Sequence, residues 1–142
     1  MSIETNSSAY SGWQTYFSYN SISSAANAEN KIYFASYNSI FSYNTLDSQI
    51  EKFDTLNGLS GAEISALYYS ENKNLIVIGY RSGFLQIINL NSNTIINIYD
   101  ILNKPTIPAD KKTINHFYVN EDGLLISTGY GISVYDLNEF EF

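Results

Sequence analysis

Cysteine is absent from the 142-residue chain, which excludes disulfides, a thiol nucleophile and cysteine-based zinc sites. Histidine occurs once, at His116, so histidine metal clusters and catalytic arrangements needing two imidazoles are excluded as well. Basic residues are few: seven Lys and Arg stand against fourteen Asp and Glu, a formal net charge of −7. That balance argues against nucleic-acid binding through phosphates, which requires clustered cations. Lys111-Lys112 is the only adjacent basic pair. No apolar run approaches the ~18 residues of a membrane-spanning helix. Proline occurs twice, at Pro105 and Pro108, both in one segment.

Charged residues make up only 15% of the chain, against roughly 25% in an average one. Asn, Ser and 13 Tyr take their place, residues that suit turns and strand faces. One domain is expected at this length. Residues 56–89 set the pattern: Asn57-Gly58 and Ser60-Gly61 punctuate the start, because glycine reaches positive φ without steric cost. Three short apolar runs follow, at 64–69, 75–80 and 84–89, separated by Ser70-Glu71-Asn72-Lys73-Asn74 and Arg81-Ser82-Gly83. Such runs between polar turns predict an antiparallel meander.

The pattern recurs at 22–43 and 114–136, with unit starts 42 and 50 residues apart (22 to 64 and 64 to 114). A polar pair marks each first turn: Glu29-Asn30, Glu71-Asn72 and Glu121-Asp122. A small residue precedes a tyrosine at each second turn: Ser36-Tyr37, Gly79-Tyr80 and Gly129-Tyr130. Outer strands are expected at 49–53 and 94–99. A repeat near 40–50 residues with about four strands predicts propeller blades. The fold class is therefore all-β, a partial β-propeller of about three mostly antiparallel meanders, with repeats near 22–53, 64–99 and 114–142. Residues 137–142 stop short of a complete fourth strand, so the chain reads as a propeller fragment or as a ring closed by self-association through its open blade edges.

Asn57-Gly58-Leu59-Ser60-Gly61 followed by Glu63-Ile64-Ser65-Ala66-Leu67 is similar to the regulator-propeller repeat. Trp13-Gln14-Thr15-Tyr16-Phe17-Ser18-Tyr19-Asn20, Asp100-Ile101-Leu102-Asn103-Lys104-Pro105-Thr106-Ile107-Pro108, Ile114-Asn115-His116-Phe117 and Gly131-Ile132-Ser133-Val134 resemble the N-terminal propeller of PorZ-like proteins of the Bacteroidetes type IX secretion system. That resemblance implies a non-enzymatic scaffold at the bacterial cell surface or periplasm. Its implied partners are secretion and sortase proteins and anionic lipopolysaccharide. The alternative is a sensory propeller of a hybrid two-component regulator that binds glycans. A native signal peptide is implied too. Residues 1–12 lack a basic start and an apolar core, and read as a flexible leader, added for expression or left by trimming.

Candidate contact residues follow from position. Pro105 and Pro108 stiffen the long crossing segment 100–113. That segment either packs on the propeller face or presents Lys104, Lys111 and Lys112 to an anionic partner. Trp13, in an alternating aromatic stretch, is either a packing residue or a stacking platform. His116 reads as a strand histidine satisfied by hydrogen bonds. Asn120-Glu121-Asp122-Gly123 reads as a hairpin turn, since the alternating ligands of a calcium loop are missing. No residue set points to catalysis, a metal or a cofactor.

Overall fold

The computed structural model describes residues 21–120 and 123–142. Its strands form three antiparallel sheets in chain order. The first holds β1 (Ile22–Asn27), β2 (Lys31–Ser36), β3 (Ser39–Asn44) and β4 (Ile50–Phe53). In the second are β5 (Ile64–Ser70), β6 (Leu75–Tyr80), β7 (Leu85–Asn89) and β8 (Thr94–Ile98). The third consists of β9 (Ile114–Asn120), β10 (Gly123–Thr128) and β11 (Gly131–Tyr135). Every strand pairs with its sequence neighbour, and β5 lies beside β1 on one side and β9 on the other. These are three blades of a partial propeller, arranged with their first strands innermost.

Asparagine and aspartate build the outer turns. Asn44, Asn89 and Asp136 each accept, through Oδ1, the N–H two residues ahead: Leu46 at 2.9 Å, Asn91 at 2.9 Å and Asn138 at 2.6 Å. This side-chain turn frees the chain to reverse. Each then pairs five residues on, with Gln49, Thr94 and Glu141. The Asp136–Glu141 bridge thus repeats, on the third sheet, the pair that opens β4 and β8. Backbone N–H groups of Asn138 and Glu139 hold the Asp136 carboxyl below the usual carboxylate range.

Each inner strand carries one irregularity at the same place. Ile22 pairs with Ser36 but Ser24 with Ala35; Ile64 with Tyr80 but Ala66 with Gly79; Ile114 with Thr128 but His116 with Ser127. Ser23, Ser65 and Asn115 are therefore the extra residues of three equivalent β-bulges. At the second blade the bulge turns Ser65 Oγ toward the Ile114 carbonyl, 2.6 Å away on the third. The first blade is tied on by Ser24 Oγ, which accepts from Leu67 N–H at 3.1 Å, and by Ile64 N–H donating to the Tyr37 carbonyl at 2.6 Å.

The register also corrects the tyrosine alignment. Tyr37 and Tyr130 sit in two-residue turns, Tyr37 with φ 44°, whereas Tyr80 is the last residue of β6, fully buried and paired with Ile64. The second blade has a longer turn there, closed by Gly83 at φ 87°, and its tyrosine takes the place of Ser36 and Thr128, inside that of Tyr37 and Tyr130.

Two cores flank the middle blade. Tyr33, Ala35 and Ile40 meet Ile76, Ile78 and Ile88 on one side, while Val77, Leu85 and Ile87 meet Ile114, Leu124 and Ile126 on the other. All six residues of β6 are buried, which explains its unbroken apolar run. Each buried isoleucine contributes roughly 1.5–3 kcal/mol relative to exposure. The far face of the third blade is open, with Tyr118, Ile132 and Val134 exposed.

Tyr135 closes the second core. Its ring is 1% exposed and packs edge-on against Phe142 at 4.9 Å, and its hydroxyl is buried without a hydrogen-bond partner among the described residues. Burial pushes the phenol up to about 12, and the carboxylates of Asp100 and Glu141 add to the shift. The folded state therefore holds this proton more tightly than the unfolded chain, where the value is near 10. Stability from this group is complete below about pH 10 and is lost as pH rises through about 12. Tyr135→Phe removes an unpaired polar atom, so it is expected to keep or raise stability by about 1 kcal/mol at neutral pH. It should also blunt the alkaline decline. Urea midpoints at pH 7 and pH 11 check both; a clear loss at pH 7 would show that the hydroxyl has a partner.

Candidate functional site

Two crossing loops and one β-turn converge on the same face of the middle blade. Residues 54–61 form the first loop. Asp54 caps the short 3-10 turn Thr55–Asn57, accepting from Leu56 N–H at 2.8 Å, while Asn57 Oδ1 accepts from Asp54 N–H at 3.1 Å. Gly58 closes the turn at φ 97°, and Leu59 drops into the core at 5% exposure. The Gly-Leu-Ser sequence is then pinned from below by Gln86 of β7. Gln86 Nε2 donates to the Gly58 carbonyl at 3.2 Å and to Asn97 Oδ1 at 2.8 Å; its Oε1 accepts from Ser60 N–H at 3.1 Å and from the Tyr80 hydroxyl.

The second loop, 99–113, contains a one-turn helix (Asp100–Asn103) and a 3-10 turn (Ala109–Lys111). It is packed onto the blades by two glycines. A Cβ on Gly83 would lie 2.8 Å from Ile101 Cγ2, and one on Gly129 would lie 2.9 Å from the Lys111 carbonyl oxygen. Thr113 Oγ1 adds a bond to the Arg81 carbonyl at 3.1 Å. Lys112 is turned inward: it is 8% exposed, and its Nζ donates to the Leu102 carbonyl at 2.5 Å. Its ammonium ties down the end of the helical turn and is not displayed to a partner. Lys104 and Lys111 are exposed, Lys111 within 3.7 Å of Asp110. Trp13, Glu121 and Asp122 lie outside the described residues.

Between the two loops runs an open groove of about 350 Å³. Tyr80, Phe84 and Tyr99 stack along it, with ring centroids 5.2 Å and then 4.8 Å apart. Phe84 is buried, whereas Tyr99 is 47% exposed at the outer end. Ser60, Ser82, Gln86 and Asn97 supply its polar lining. On the opposite face, a cleft of about 390 Å³ lies between the first two blades. There Tyr33 and Tyr69 stack at 5.5 Å beside the Lys31–Glu51 ion pair of 2.9 Å. Glu51 holds the Lys31 ammonium above its usual range, and burial pushes the Tyr33 phenol up. His116 is exposed and makes no side-chain hydrogen bond among the described residues, contrary to the satisfied strand histidine expected from sequence. Among the described residues no three His, Asp or Glu come together as a metal site, and no helix is long and apolar enough to cross a membrane.

Residues 32–142 match the family described as the N-terminal β-propeller domain of PorZ of the type IX secretion system (TSS9). The chain belongs to the PorZ N-terminal propeller family. Its fold is similar to that of PorZ from Porphyromonas gingivalis, an essential bacterial surface component of that system. The TM-score is 0.73 at 22% identity, over 84% of this chain and 16% of PorZ. It is similar too to the extracellular domain of the putative hybrid two component system BT4673 from B. thetaiotaomicron. There the TM-score is 0.69 at 18% identity, over 85% of this chain and 16% of that one. At such identities the likeness establishes the fold alone. No curated protein matches the chain.

In this PorZ-family propeller, sequence reasoning singled out the crossing loop but missed the groove beneath it. One signal was present: Gln86 interrupts the apolar run Phe84-Leu85-Gln86-Ile87-Ile88. A lone amide in such a strand must find partners when buried. Tyr99 and Asn97 carried no such signal, because an exposed tyrosine or asparagine is ordinary in this composition.

Proposed function

We propose that this PorZ-family segment is a non-enzymatic scaffold at the bacterial surface, serving type IX secretion and the attachment of cargo to anionic lipopolysaccharide. The observation that carries the reading is the family match over residues 32–142. The rigid blades hold a glycine-clamped loop whose exposed cations, Lys104 and Lys111, form the contact for an anionic group. Lys112 supports that loop from inside and is not itself the contact. Protein partners of this scaffold are the surface secretion and sortase proteins.

Surface plasmon resonance with immobilised anionic lipopolysaccharide tests the contact. The wild-type chain is expected to bind, more weakly as salt rises, and Lys104→Ala/Lys111→Ala is expected to lower affinity about tenfold, roughly 1.4 kcal/mol. Absence of wild-type binding, or equal binding by the double variant, removes this loop from the reading. The likeness to the BT4673 extracellular domain favours a second reading, a sensory propeller that binds glycans. Salt-independent binding of uncharged oligosaccharides by the same chain would favour it.

A further inference from the structure

The groove under the crossing loop has a polarity that its internal bonds impose. Asn97 spends its carbonyl oxygen on Gln86 Nε2, Ser60 Oγ accepts from Ala62 N–H at 3.2 Å, and Ser82 Oγ accepts from Phe84 N–H at 3.3 Å. The Asn97 amide hydrogens and the Ser82 hydroxyl proton make no bond among the described residues, whereas the Ser60 hydroxyl is also hydrogen-bonded to the Tyr80 phenol. Two donors, the Asn97 amide and the Ser82 hydroxyl, thus border one cavity, each with its oxygen already accepting a bond from inside the fold. Beside them the Tyr99 ring caps the Tyr80–Phe84–Tyr99 stack and is 47% exposed. No Asp, Glu, Lys, Arg or His lines the groove, in a chain of net charge −7.

These features select a ligand class. The occupant must offer acceptor oxygens to the donors and a flat apolar face to an aromatic ring, and it gains nothing from formal charge. A pyranose ring fits each requirement: its axial C–H face lies on an aromatic ring, and its hydroxyl and ring oxygens accept at the edge. We infer that the groove formed by Tyr99, Phe84, Asn97, Ser60 and Ser82 is a binding site for an uncharged sugar residue of a glycan. The site is separate from the Lys104 and Lys111 surface and takes a different ligand. It bears on the sensory reading only by naming where on this chain a sugar would sit, and it stands on the groove's own geometry.

Amide chemical shifts of the ¹⁵N-labelled chain, titrated with neutral manno-, gluco- and galacto-oligosaccharides, test it. At least one series is expected to move the amides of Ser60, Ser82, Phe84 and Tyr99 in a saturating way, leaving those of Lys104 and Lys111 in place. Tyr99→Ala is expected to weaken binding at least tenfold and Tyr99→Phe less than threefold. Should Tyr99→Ala disturb the fold, Ser82→Ala at an exposed turn probes the same groove, with an expected several-fold loss. The inference is overturned if no neutral sugar shifts these amides or if Tyr99→Ala binds like wild type. Preferential binding of a uronic-acid or sulfated sugar, or of an uncharged peptide giving the same shifts at lower concentration, would overturn it too. Failure of lipopolysaccharide binding at Lys104 and Lys111 leaves it standing, because none of the groove residues is changed in that experiment.

Discussion

Gly79→Val is expected to destabilise the chain by about 3 kcal/mol or more, the upper end of what overpacking a core costs. Gly79 lies in β6, paired with Ala66 and Leu85, so its role is one of space and not of turn geometry. A Cβ there would sit 2.5 Å from Ile114 Cγ2 and 2.9 Å from Phe117 Cζ. Neither neighbour can yield cheaply. Ile114 is fully buried, and its carbonyl is held by Ser65 Oγ at 2.6 Å, which fixes the start of β9. Phe117 is 4% exposed in the same core. Room for valine therefore requires the second and third blades to move apart. The same place in the other blades is occupied by Ala35 and Ser127, as the pairings with Ser24 and His116 show. Ser127 faces the open side of the third blade, so Ser127→Val is the control, expected to stay within about 0.5 kcal/mol of wild type. Urea midpoints at constant m-value measure both. A Gly79→Val chain as stable as wild type would mean that the blades are not packed as closely as described.

That comparison shows what the sequence carried and what it did not. The strands were legible because their apolar runs are short and their turns are rich in Asn, Asp, Ser and Gly. The spacing from Asn44 to Gln49, Asn89 to Thr94 and Asp136 to Glu141 repeats because one side-chain-directed turn recurs. The need for a small residue near the second turn was visible too, but on the wrong atoms. Ala35, Gly79 and Ser127 are equivalent in space, while Ser36, Gly79 and Gly129 were aligned by the tyrosine that follows them. A bulge at Ser23, Ser65 and Asn115 and an extra turn residue before Phe84 shift the register, and neither leaves a mark in apolar periodicity. Lys112 illustrates a second limit. Adjacent lysines look alike in sequence, yet a glycine at position 83 opens space for the stem of one, and the end of a helical turn offers a carbonyl to its ammonium. The groove was hidden for a related reason. Its donors are defined by which acceptors are already spent inside the fold.

Gln86→Leu is the second substitution with a large expected effect, about 2–3 kcal/mol of stability. Gln86 is 2% exposed and has all four of its hydrogen-bonding positions in use. The amide has only one satisfactory orientation: a flip would set its NH₂ against the Ser60 N–H and its oxygen against the Gly58 carbonyl. Leucine fills similar space and brings no partner. Gly58, Ser60 and Asn97 stand near solvent, so water can replace part of what they lose. Water cannot replace Gln86 for Tyr80, which is fully buried with its phenol pushed up by burial and keeps only Ser60 as a hydrogen-bond partner. Losing the buried Gln86 acceptor, which leaves the hydroxyl with Ser60 alone, costs about 1–3 kcal/mol and accounts for most of the expected loss. Tyr80→Phe in the Gln86→Leu background should then recover about 1 kcal/mol, a coupling that a double-mutant cycle measures directly. Hydrogen exchange gives a second readout, since the Ser60 amide should lose its protection in Gln86→Leu while the amides of Ile76 and Ile78 in β6 keep theirs. If instead Gln86→Leu costs under 1 kcal/mol and Ser60 stays protected, the Gly-Leu-Ser turn holds its shape without this amide. The groove's polarity would then have to come from the loop alone.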